Sequence, residues 1–543
     1  MICILHGYLL EGSGSNLWTR EMVRALCREG EAVHLVCQEP HPEHYDFIAA
    51  AYAYEPDGGV TTLFERKTPY EGRCVLHKPR LGDTLPVYVG DKYEEFARAL
   101  PMIDLPDAAI EDYLGRNVVV VERVVREAGV SVLHANHAVL MSVVAERVHA
   151  ATGVPYAVMP HGSAIEYAVK KDPRFHALAE SALAAADRLI VIGEEMRRRV
   201  RETFPALPGL EKKLRDLPLG VDTAAFAPVG REDRGARLRT LEKALAGLER
   251  GRRPEAAERL RASLRPDMAR GELVAALQAV RGYEWKRPDA GLEQSLARID
   301  WRRDELLLYV GRLIAAKGPQ SIVAALPLIL SKHPRARLVV VGHGPLREVL
   351  EALLWALEEG AAGLARAIAD WGSVLEGRPA PFEHLRLFFS GLEERGELDG
   401  YFEAARRTVR SERVIFTGYL THGELKHLFP CCDAAVFPSV VAEAGPLVFL
   451  EALASGSFPL GTYFAGMAAS IDAVAGALPP EHADLMKLSI DPARKVAEIA
   501  EKTAGAFDLG GRHKQALRDV VAARHDWRTV ARRLAAELAD LGR

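Results

Sequence analysis

Short apolar runs bounded by glycine, proline and asparagine alternate with stretches of helical periodicity over the first 228 residues. Runs of about four to eight apolar residues between turn signals are typical of buried strands. They predict strands at residues 2–5, 32–36, 130–134, 156–159 and 188–192. Strands that alternate with helices indicate βα units, and therefore a mainly parallel sheet.

The pattern changes after Pro228. Residues 231–300 are rich in Arg, Glu, Ala and Leu, and their leucines recur at helical spacing, so we predict a helical insertion or linker at 229–303. The alternation then resumes, with predicted strands at 306–310, 337–341, 414–416, 434–437 and 458–460. A second helical insertion interrupts this part at about 348–411.

We therefore predict an α/β protein with two lobes, at 1–228 and 304–512, followed by a terminal segment at 513–543. A chain of 543 residues exceeds one compact core, which agrees with two lobes. The terminal segment ends in an amphipathic helix, because Val530, Leu534 and Leu538 form an apolar stripe after Trp527.

Composition excludes several classes of protein. The 70 Lys and Arg balance 74 Asp and Glu, which leaves a net charge of −4 and no general positive field for nucleic acid. The six cysteines show no CxxC spacing, so we predict a reduced, cytoplasmic protein without a zinc site. No apolar run reaches the roughly 18 residues of a membrane span. The composition does not decide between a protein that contacts a membrane surface and one that does not, or between a monomer and a homo-oligomer.

A glycine-rich loop follows the first predicted strand. Gly12 and Gly14 precede a helix predicted to begin near Leu17, where backbone amides and the helix dipole favour an anion. A flexible connecting loop is the alternative. A dinucleotide site, with Glu39 on the ribose, is another, although the loop is longer than such a turn and Leu17 stands where glycine or alanine is needed.

Two cations lie on one loop of the second lobe. Arg312 follows a predicted strand, and Lys317 precedes a helix that Pro319 begins. Cations beside a helix N-terminus suit a diphosphate, whereas the alternative is a pair of solvated surface residues. The loop's place at the carboxyl end of a strand favours a binding role.

Two carboxylates follow the strand at 434–437. Glu443 lies in the loop, and Glu451 lies in the helix that Pro446 begins. Glu451 follows four apolar residues, so we expect it to be buried with a hydrogen-bond partner rather than exposed.

Polar residues also follow two strands of the first lobe. His161 comes directly after the strand at 156–159, and Asn136 and His137 follow the preceding one. Each either contacts a substrate or serves a turn or helix cap. Position after a strand favours the first role for His161.

These residues together resemble the retaining GT-B glycosyltransferases of family GT4, over roughly residues 1–40, 113–228 and 304–543. The most specific match is the pair Glu443 and Glu451, separated by seven residues. Supporting motifs are Gly311-Arg312-Leu313 with Lys317-Gly318, Val341-Gly342-His343-Gly344-Pro345, Phe416-Thr417-Gly418, Leu219-Gly220-Val221-Asp222 and His525-Asp526-Trp527.

The resemblance implies two Rossmann-like lobes facing a cleft, with the last helix crossing back to the first lobe. It also implies that Arg312 and Lys317 hold the donor diphosphate, Glu451 the ribose and Glu443 the donor sugar, while His161 contacts a sugar hydroxyl. The other implied donor-binding residues are Gly12, Gly14, Gly311, Gly342, Gly344, Gly445, Pro446 and Leu447. Our candidates on the acceptor side are Asn136, His137, Lys92 and Tyr93.

The implied activity is retaining transfer of a hexose from a nucleoside-diphosphate sugar to a sugar or small-molecule acceptor. No Asp-x-Asp motif occurs, and we expect neither a metal nor a cofactor beyond the co-substrate. Two alternatives are an NAD-dependent oxidoreductase that uses the Gly12-Ser13-Gly14 loop and a non-catalytic regulatory subunit. The sequence departs from the family at residues 465–469, where a glycine pair and an acid are common.

Overall fold

The computed structural model describes residues 1–88, 95–282, 286–377, 380–443 and 445–542. The chain divides into two compact units. Unit 1 comprises Met1–Gly220 and Arg524–Arg543, and unit 2 comprises Val221–Ala523.

Seventeen strands are found in the described ranges. They are β1 (Ile2–Leu5), β2 (Ala32–Val36), β3 (Ile48–Tyr54), β4 (Val60–Glu65), β5 (Arg73–Pro79), β6 (Thr84–Val87), β7 (Arg98–Pro101), β8 (Val132–Asn136), β9 (Tyr156–Met159), β10 (Arg188–Val191), β11 (Leu214–Asp216), β12 (Glu305–Val310), β13 (Ala336–Val341), β14 (Val414–Gly418), β15 (Ala434–Phe437), β16 (Phe458–Thr462) and β17 (Lys487–Leu488).

The α-helices in the same ranges are α1 (Gly14–Arg28), α2 (Asp107–Ala128), α3 (Met141–Thr152), α4 (Gly162–Ala164), α5 (Pro173–Ala185), α6 (Gly193–Thr203), α7 (Leu210–Lys213), α8 (Arg234–Leu245), α9 (Pro254–Ser263), α10 (Arg270–Ala279), α11 (Leu292–Leu296), α12 (Pro319–Lys332), α13 (Arg347–Glu359), α14 (Ala362–Trp371), α15 (Glu383–Glu394), α16 (Leu398–Thr408), α17 (His422–Leu428), α18 (Leu447–Ser455), α19 (Ala465–Ala475), α20 (Pro480–Leu485), α21 (Lys495–Asp508), α22 (Lys514–His525) and α23 (Trp527–Ala539). Short 3₁₀ and π turns join several of them.

Unit 1 is built on a nine-stranded sheet in the order β11-β10-β9-β8-β1-β2-β5-β3-β4. All its strand pairs are parallel except β3 with β4. β1 lies at the centre with every residue buried, as expected of a strand covered by helices on both faces. The order reverses between β1 and β8, which creates a crevice at the carboxyl ends of these strands.

Unit 2 contains a six-stranded, fully parallel sheet in the order β14-β13-β12-β15-β16-β17. The order reverses between β12 and β15, so this unit has a crevice of the same kind. The predicted mainly parallel, two-sheet α/β architecture is therefore confirmed.

The segment before β12 is helical and is anchored to the sheet of unit 2. The side chain of Arg234 in α8 is fully buried, and its guanidinium lies 2.7 Å from the Asp433 carboxylate at the start of β15. Asp433 also accepts a hydrogen bond from the backbone N–H of Leu306, at 3.0 Å. Near the other end of the segment, Tyr419 after β14 donates its backbone N–H to the carbonyl of Arg287, at 3.0 Å.

The last helix returns to unit 1, as expected. α23 packs against α1, and Trp527 is buried at its first turn. Glu29, which follows α1, accepts hydrogen bonds from Arg528, at 2.6 Å, and from Arg532. The neighbouring His525 ring bonds the Leu219 carbonyl at 2.9 Å, so the terminal segment completes this unit.

Candidate active site

The predicted donor residues of unit 2 come from the two strands at which its sheet order reverses. Arg312 and Lys317 follow β12, while Glu443 follows β15 and Glu451 lies in the helix after that loop. In open parallel sheets this position holds ligands, because the loops on either side diverge there.

The two loops are held together by their backbones. Val440 donates its N–H to the carbonyl of Ala316 at 2.9 Å, and the Ser439 hydroxyl donates to the same carbonyl at 3.1 Å. Gly318 has a φ of +72° and caps α12, and a Cβ at this position would lie 2.2 Å from the carbonyl oxygen of Pro438. Only glycine permits this approach, so the Lys317-Gly318 motif fixes the distance between the loops.

Lys317 forms an ion pair with Glu443. Its Nζ lies 2.8 Å from Glu443 Oε2, and both side chains are partly exposed. Arg312 is exposed, and its guanidinium forms no ion pair among the described residues, although it acts electrostatically on the Glu376 carboxylate. The loop therefore presents one paired and one unpaired cation at the end of β12, an arrangement suited to a multivalent anion.

Glu451 is buried in the first turns of α18, as the sequence predicted. One carboxylate oxygen, Oε1, contacts Nδ1 of His422. The other oxygen, Oε2, is buried and has no hydrogen-bond partner within the described residues. A buried oxygen of this kind needs a donor, and a ligand hydroxyl can supply it.

The glycine motif after β13 packs against the loop after β12. A Cβ on Gly342 would lie 1.9 Å from the Gly311 carbonyl oxygen, and one on Gly344 would lie 2.5 Å from that of Leu313. Leu313 donates its N–H to the His343 carbonyl at 2.9 Å. These glycines therefore have a structural reason for their place in the motif, besides any role toward a ligand.

The residues before α18 complete this edge of unit 2. Pro446 caps the helix and Leu447 begins it, with Gly445 immediately before them. The backbone N–H of Gly466 donates to the Glu443 carbonyl at 2.8 Å. Residues 465–469, where the sequence lacks the glycine pair and the acid common in the resembled family, thus contact the Glu443 loop.

Sequence reasoning missed two polar residues here. His422, at the start of α17, contacts Glu451, and Glu376 of the second insertion accepts a hydrogen bond from the Ala315 N–H at 2.6 Å. Burial raises the pKa of Glu376, while Ala315 and Arg312 oppose that rise. The capping sequence Thr421-His422-Gly423-Glu424 marks α17, but no local signal ties Glu376 to this loop.

In unit 1, the glycine-rich loop opens α1 earlier than predicted. The helix begins at Gly14 rather than near Leu17, because Ser13 caps it by accepting a hydrogen bond from the Asn16 N–H at 3.3 Å. Gly12 and Gly14 are both exposed. The loop thus places a helix N-terminus at the crevice of this sheet.

The carboxylate of Glu39 is not available to bind a ribose, because the protein itself occupies both of its oxygens. It is buried, and its two carboxylate oxygens accept hydrogen bonds from the backbone N–H groups of Leu10, at 2.9 Å, and His41, at 3.2 Å. Its role is to hold the loops after β1 and β2 together. This removes the residue on which the NAD-dependent alternative depended.

His161, Asn136 and His137 lie together after β8 and β9, and all three are buried. His161 Nε2 lies 3.4 Å from the Asn136 side-chain oxygen, and its ring centroid is 4.7 Å from that of His137. Asn136 also donates to Thr19 of α1 at 2.9 Å. His137 has a φ of +73°, and neither ring nitrogen has a hydrogen-bond partner in the described part of the chain.

These rings are held neutral. Burial, and secondarily the charges of His6 and His134, lower the pKa of His161 to about 3. Burial also lowers the pKa of His6 to about 4, against the hydrogen bonds that its Nε2 donates to the Asn16 side-chain oxygen and the Leu9 carbonyl. A neutral imidazole can both donate and accept a hydrogen bond. Lys92 and Tyr93, our other acceptor-side candidates, lie outside the described residues.

We expect unit 1 to lose stability on acidification. Because the folded-state pKa of these histidines lies below the unfolded value of about 6.5, the unfolded state binds more protons once the pH falls below 6.5. The loss is on the order of 2 kcal/mol per histidine by pH 5, at 1.36 kcal/mol per pH unit. Calorimetric unfolding at pH 7.5, 6 and 5 measures it, and His161→Gln should flatten the profile. The exposed His44→Gln serves as control and should leave it unchanged, whereas an equally steep profile in His161→Gln contradicts the prediction.

The fold and these two crevices define a GT-B glycosyltransferase framework. The family models "Glycosyl transferase 4-like domain" and "Glycosyl transferases group 1" match residues 13–208 and residues 297–362 and 378–488 respectively. This chain therefore belongs to the GT4 family of glycosyltransferases. The predicted family and fold are confirmed, and the oxidoreductase alternative is wrong.

Two curated relatives match over shorter stretches. An uncharacterized glycosyltransferase of Methanocaldococcus jannaschii is 27% identical over 154 residues, which cover 28% of this chain and 26% of that protein. A glycogen synthase of Mycobacterium tuberculosis is 28% identical over 229 residues, which cover 41% of this chain and 40% of the relative. The match thus spans well under half of either relative.

Two solved structures share the fold across nearly the whole chain. Sucrose-phosphate synthase from Thermosynechococcus elongatus superposes with a TM-score of 0.53 at 17% identity, covering 99% of this chain and 98% of that one. HepE of Anabaena, solved in complex with UDP-glucose, gives 0.52 at 11% identity, covering 99% and 100%. No helix within the described ranges is long and apolar enough to cross a bilayer.

Proposed function

We propose that this protein transfers a hexose from a nucleoside-diphosphate sugar to a sugar or small-molecule acceptor, with retention of configuration and without a metal ion. The observation that carries the proposal is the pairing of Lys317 with Glu443 at 2.8 Å beside the unpaired Arg312. In this arrangement the two cations bind the diphosphate, and Glu443 lies where the sugar joins it.

The buried, unpartnered oxygen of Glu451 supports the same assignment. A ribose hydroxyl that donates to this oxygen completes its hydrogen bonding and fixes the nucleoside end of the donor. The contact of His422 with the other oxygen orients the carboxylate. The solved complex of HepE with UDP-glucose makes a uridine nucleotide the first donor to test.

The chemistry follows from where charge develops. As the bond between the anomeric carbon and the phosphate oxygen breaks, negative charge grows on the leaving diphosphate, where Lys317 and Arg312 stabilise it more than in the ground state. The acceptor oxygen bonds to the anomeric carbon on the same face, and its proton passes to a diphosphate oxygen. Glu443 then has no need to act as a nucleophile, and His161 positions a sugar hydroxyl.

A thermal-shift titration with UDP, GDP, ADP and NAD tests the binding step. A ligand that binds only the native state stabilises it by RT ln(1 + [L]/Kd), or about 2.7 kcal/mol at a hundredfold excess over Kd. We expect one nucleoside diphosphate to raise the unfolding temperature, and NAD to leave it unchanged. Glu451→Gln should weaken that nucleotide, while the exposed Glu501→Gln should not. If none of the three nucleoside diphosphates raises the unfolding temperature, the proposal is overturned in favour of a non-catalytic subunit.

A further inference from the structure

Unit 2 contains a polar cavity at the opposite edge of its sheet from the candidate donor residues. Its volume is about 650 Å³, and we call it the arginine cavity. Asp304, Arg335 and Arg413 line it, and they stand directly before or at the amino ends of β12, β13 and β14. Arg312 and Glu443 follow the carboxyl ends of strands in the same sheet. The cavity is therefore separate from the proposed donor site.

Positive charge exceeds negative charge in this cavity. Its charged lining residues are Arg298, Arg335, Arg337, Arg410, Arg413, Asp300, Asp304 and Glu412. Arg335 and Arg337 both bind the Asp304 carboxylate, the former at 3.1 Å. These two arginines are thereby neutralised by acids of the cavity itself.

None of the other three arginines forms an ion pair in the part of the chain that the structure describes, although the Asp304 and Glu412 carboxylates act on Arg413 electrostatically. Arg413 donates to the Pro334 carbonyl at 2.7 Å, and Arg410 donates to the Val409 carbonyl at 2.6 Å. The side chain of Arg298 is exposed and unpaired. Most of their N–H groups are thus open to an anion that enters the cavity.

The lowered pKa of Arg413 is consistent with an excess of positive charge in the arginine cavity. Burial lowers it, and the like charges of Arg337 and Arg410 lower it further, while Asp304 and Glu412 oppose the shift. An anion with two negative charges relieves this repulsion, and guanidinium groups bind phosphate oxygens in pairs.

A cavity of about 530 Å³ adjoins the arginine cavity, because Arg298 and Glu412 line both. Its lining combines apolar residues with charged ones, which include Arg252, Arg253, Arg261, Arg347, Glu258, Asp289 and Glu351. Leu260 of α9 and Leu264, which follows α9, line it from the first insertion, and Leu354 and Trp355 of α13 line it from the second. The two helical insertions, for which the sequence offered no role, thus build this space together. A concave space that combines apolar walls with polar and charged groups is typical of small-molecule sites.

We propose that unit 2 carries a second ligand site for an organic phosphate, with the phosphate group in the arginine cavity and an aromatic or apolar part beside Trp355. Neither the family assignment nor the proposed transfer reaction requires it. Both insertions contribute to its walls, so a ligand there links them to each other and to the amino edge of the sheet.

Calorimetric binding of 1-naphthyl phosphate to the full chain tests the site. We expect it to bind more tightly than inorganic phosphate or 1-naphthol, each of which carries half of the recognised chemistry. Arg410→Gln and Arg298→Gln should each weaken it by about tenfold or more, because each removes a charged hydrogen-bond donor. The matched control Arg407→Gln removes an exposed arginine of α16 outside the cavity and should leave binding unchanged.

Trp355→Ala distinguishes recognition of the aromatic part of the probe from recognition of its phosphate group. It should weaken 1-naphthyl phosphate while leaving inorganic phosphate unaffected. Lys317→Met tests whether the probe binds at the proposed donor site instead. Loss of 1-naphthyl phosphate binding in that variant would mean that the probe binds there, and it would overturn the proposal. Absence of binding at millimolar probe, or equal losses in Arg410→Gln and Arg407→Gln, also overturns it. None of these outcomes depends on transferase activity.

Discussion

Lys317→Met is expected to lower kcat for sugar transfer by about 10²- to 10³-fold, which corresponds to roughly 3–4 kcal/mol of transition-state stabilisation. The ammonium lies 2.8 Å from Glu443 in a loop whose position Gly318 fixes, so the charge is held in place before the reaction begins. Arg312→Ala should have an effect of similar size, because it removes the unpaired cation of the same loop. Initial rates with saturating donor measure both.

The matched control for this experiment is Lys332→Met. Lys332 is exposed and is the last residue of α12, so Lys332→Met removes the same charge at the far end of the helix that follows Lys317. Its kcat should remain within about twofold of the unsubstituted protein. Because Lys317→Met leaves Glu443 without its partner, the thermal unfolding of each variant is measured in parallel. A folded Lys317→Met protein with normal turnover would falsify the proposed role of this loop.

Asp433→Ala should destabilise unit 2 by about 3–5 kcal/mol, the effect expected when a buried charge loses its partner. Arg234 is fully buried beside Asp433, and Arg231 also donates to this carboxylate at 2.9 Å. The favourable contact with Arg234 lowers the pKa of Asp433 although burial opposes the shift. Urea unfolding followed by hydrogen exchange of peptides from unit 2 measures the loss.

Two further variants decide whether the loss comes from the unpaired charge. Asp267→Ala removes an exposed aspartate of the same unit and should change stability by no more than about 0.5 kcal/mol. The double variant Arg234→Met with Asp433→Leu should recover much of the loss, because it removes both members of the buried Arg234–Asp433 pair. A loss below about 1 kcal/mol in Asp433→Ala shows that Arg234 finds another partner or solvent.

The strands that border the candidate sites were predictable because their hydrophobicity is continuous. β1, β2, β9 and β15 begin and end where the sequence placed them. By contrast, β3 to β7 were not predicted. β3 is rich in alanine, and every residue of β4 is exposed or only partly buried, so neither carries the apolar signal of a central strand.

The candidate site was predictable as far as local motifs extend. Glu443 and Glu451 could be placed because the loop and the apolar helix are contiguous in sequence. The contact of His422 with Glu451, and that of Glu376 with Ala315, join segments 29 and 61 residues apart, and no periodicity reports such distances. The burial of Glu39 under two backbone amides was missed for the same reason.

The return of α23 to unit 1 has a consequence for biosynthesis. Ribosomal synthesis delivers Met1–Gly220 first, yet Trp527 and the arginines that bind Glu29 follow only after all of unit 2. Domains generally fold as their residues emerge. Unit 2 is therefore synthesised completely before unit 1 is. Until α23 has been made, the surface of α1 that it covers stays exposed in unit 1. Chaperone binding to nascent chains should therefore persist on unit 1 until Arg524–Arg543 leave the ribosome.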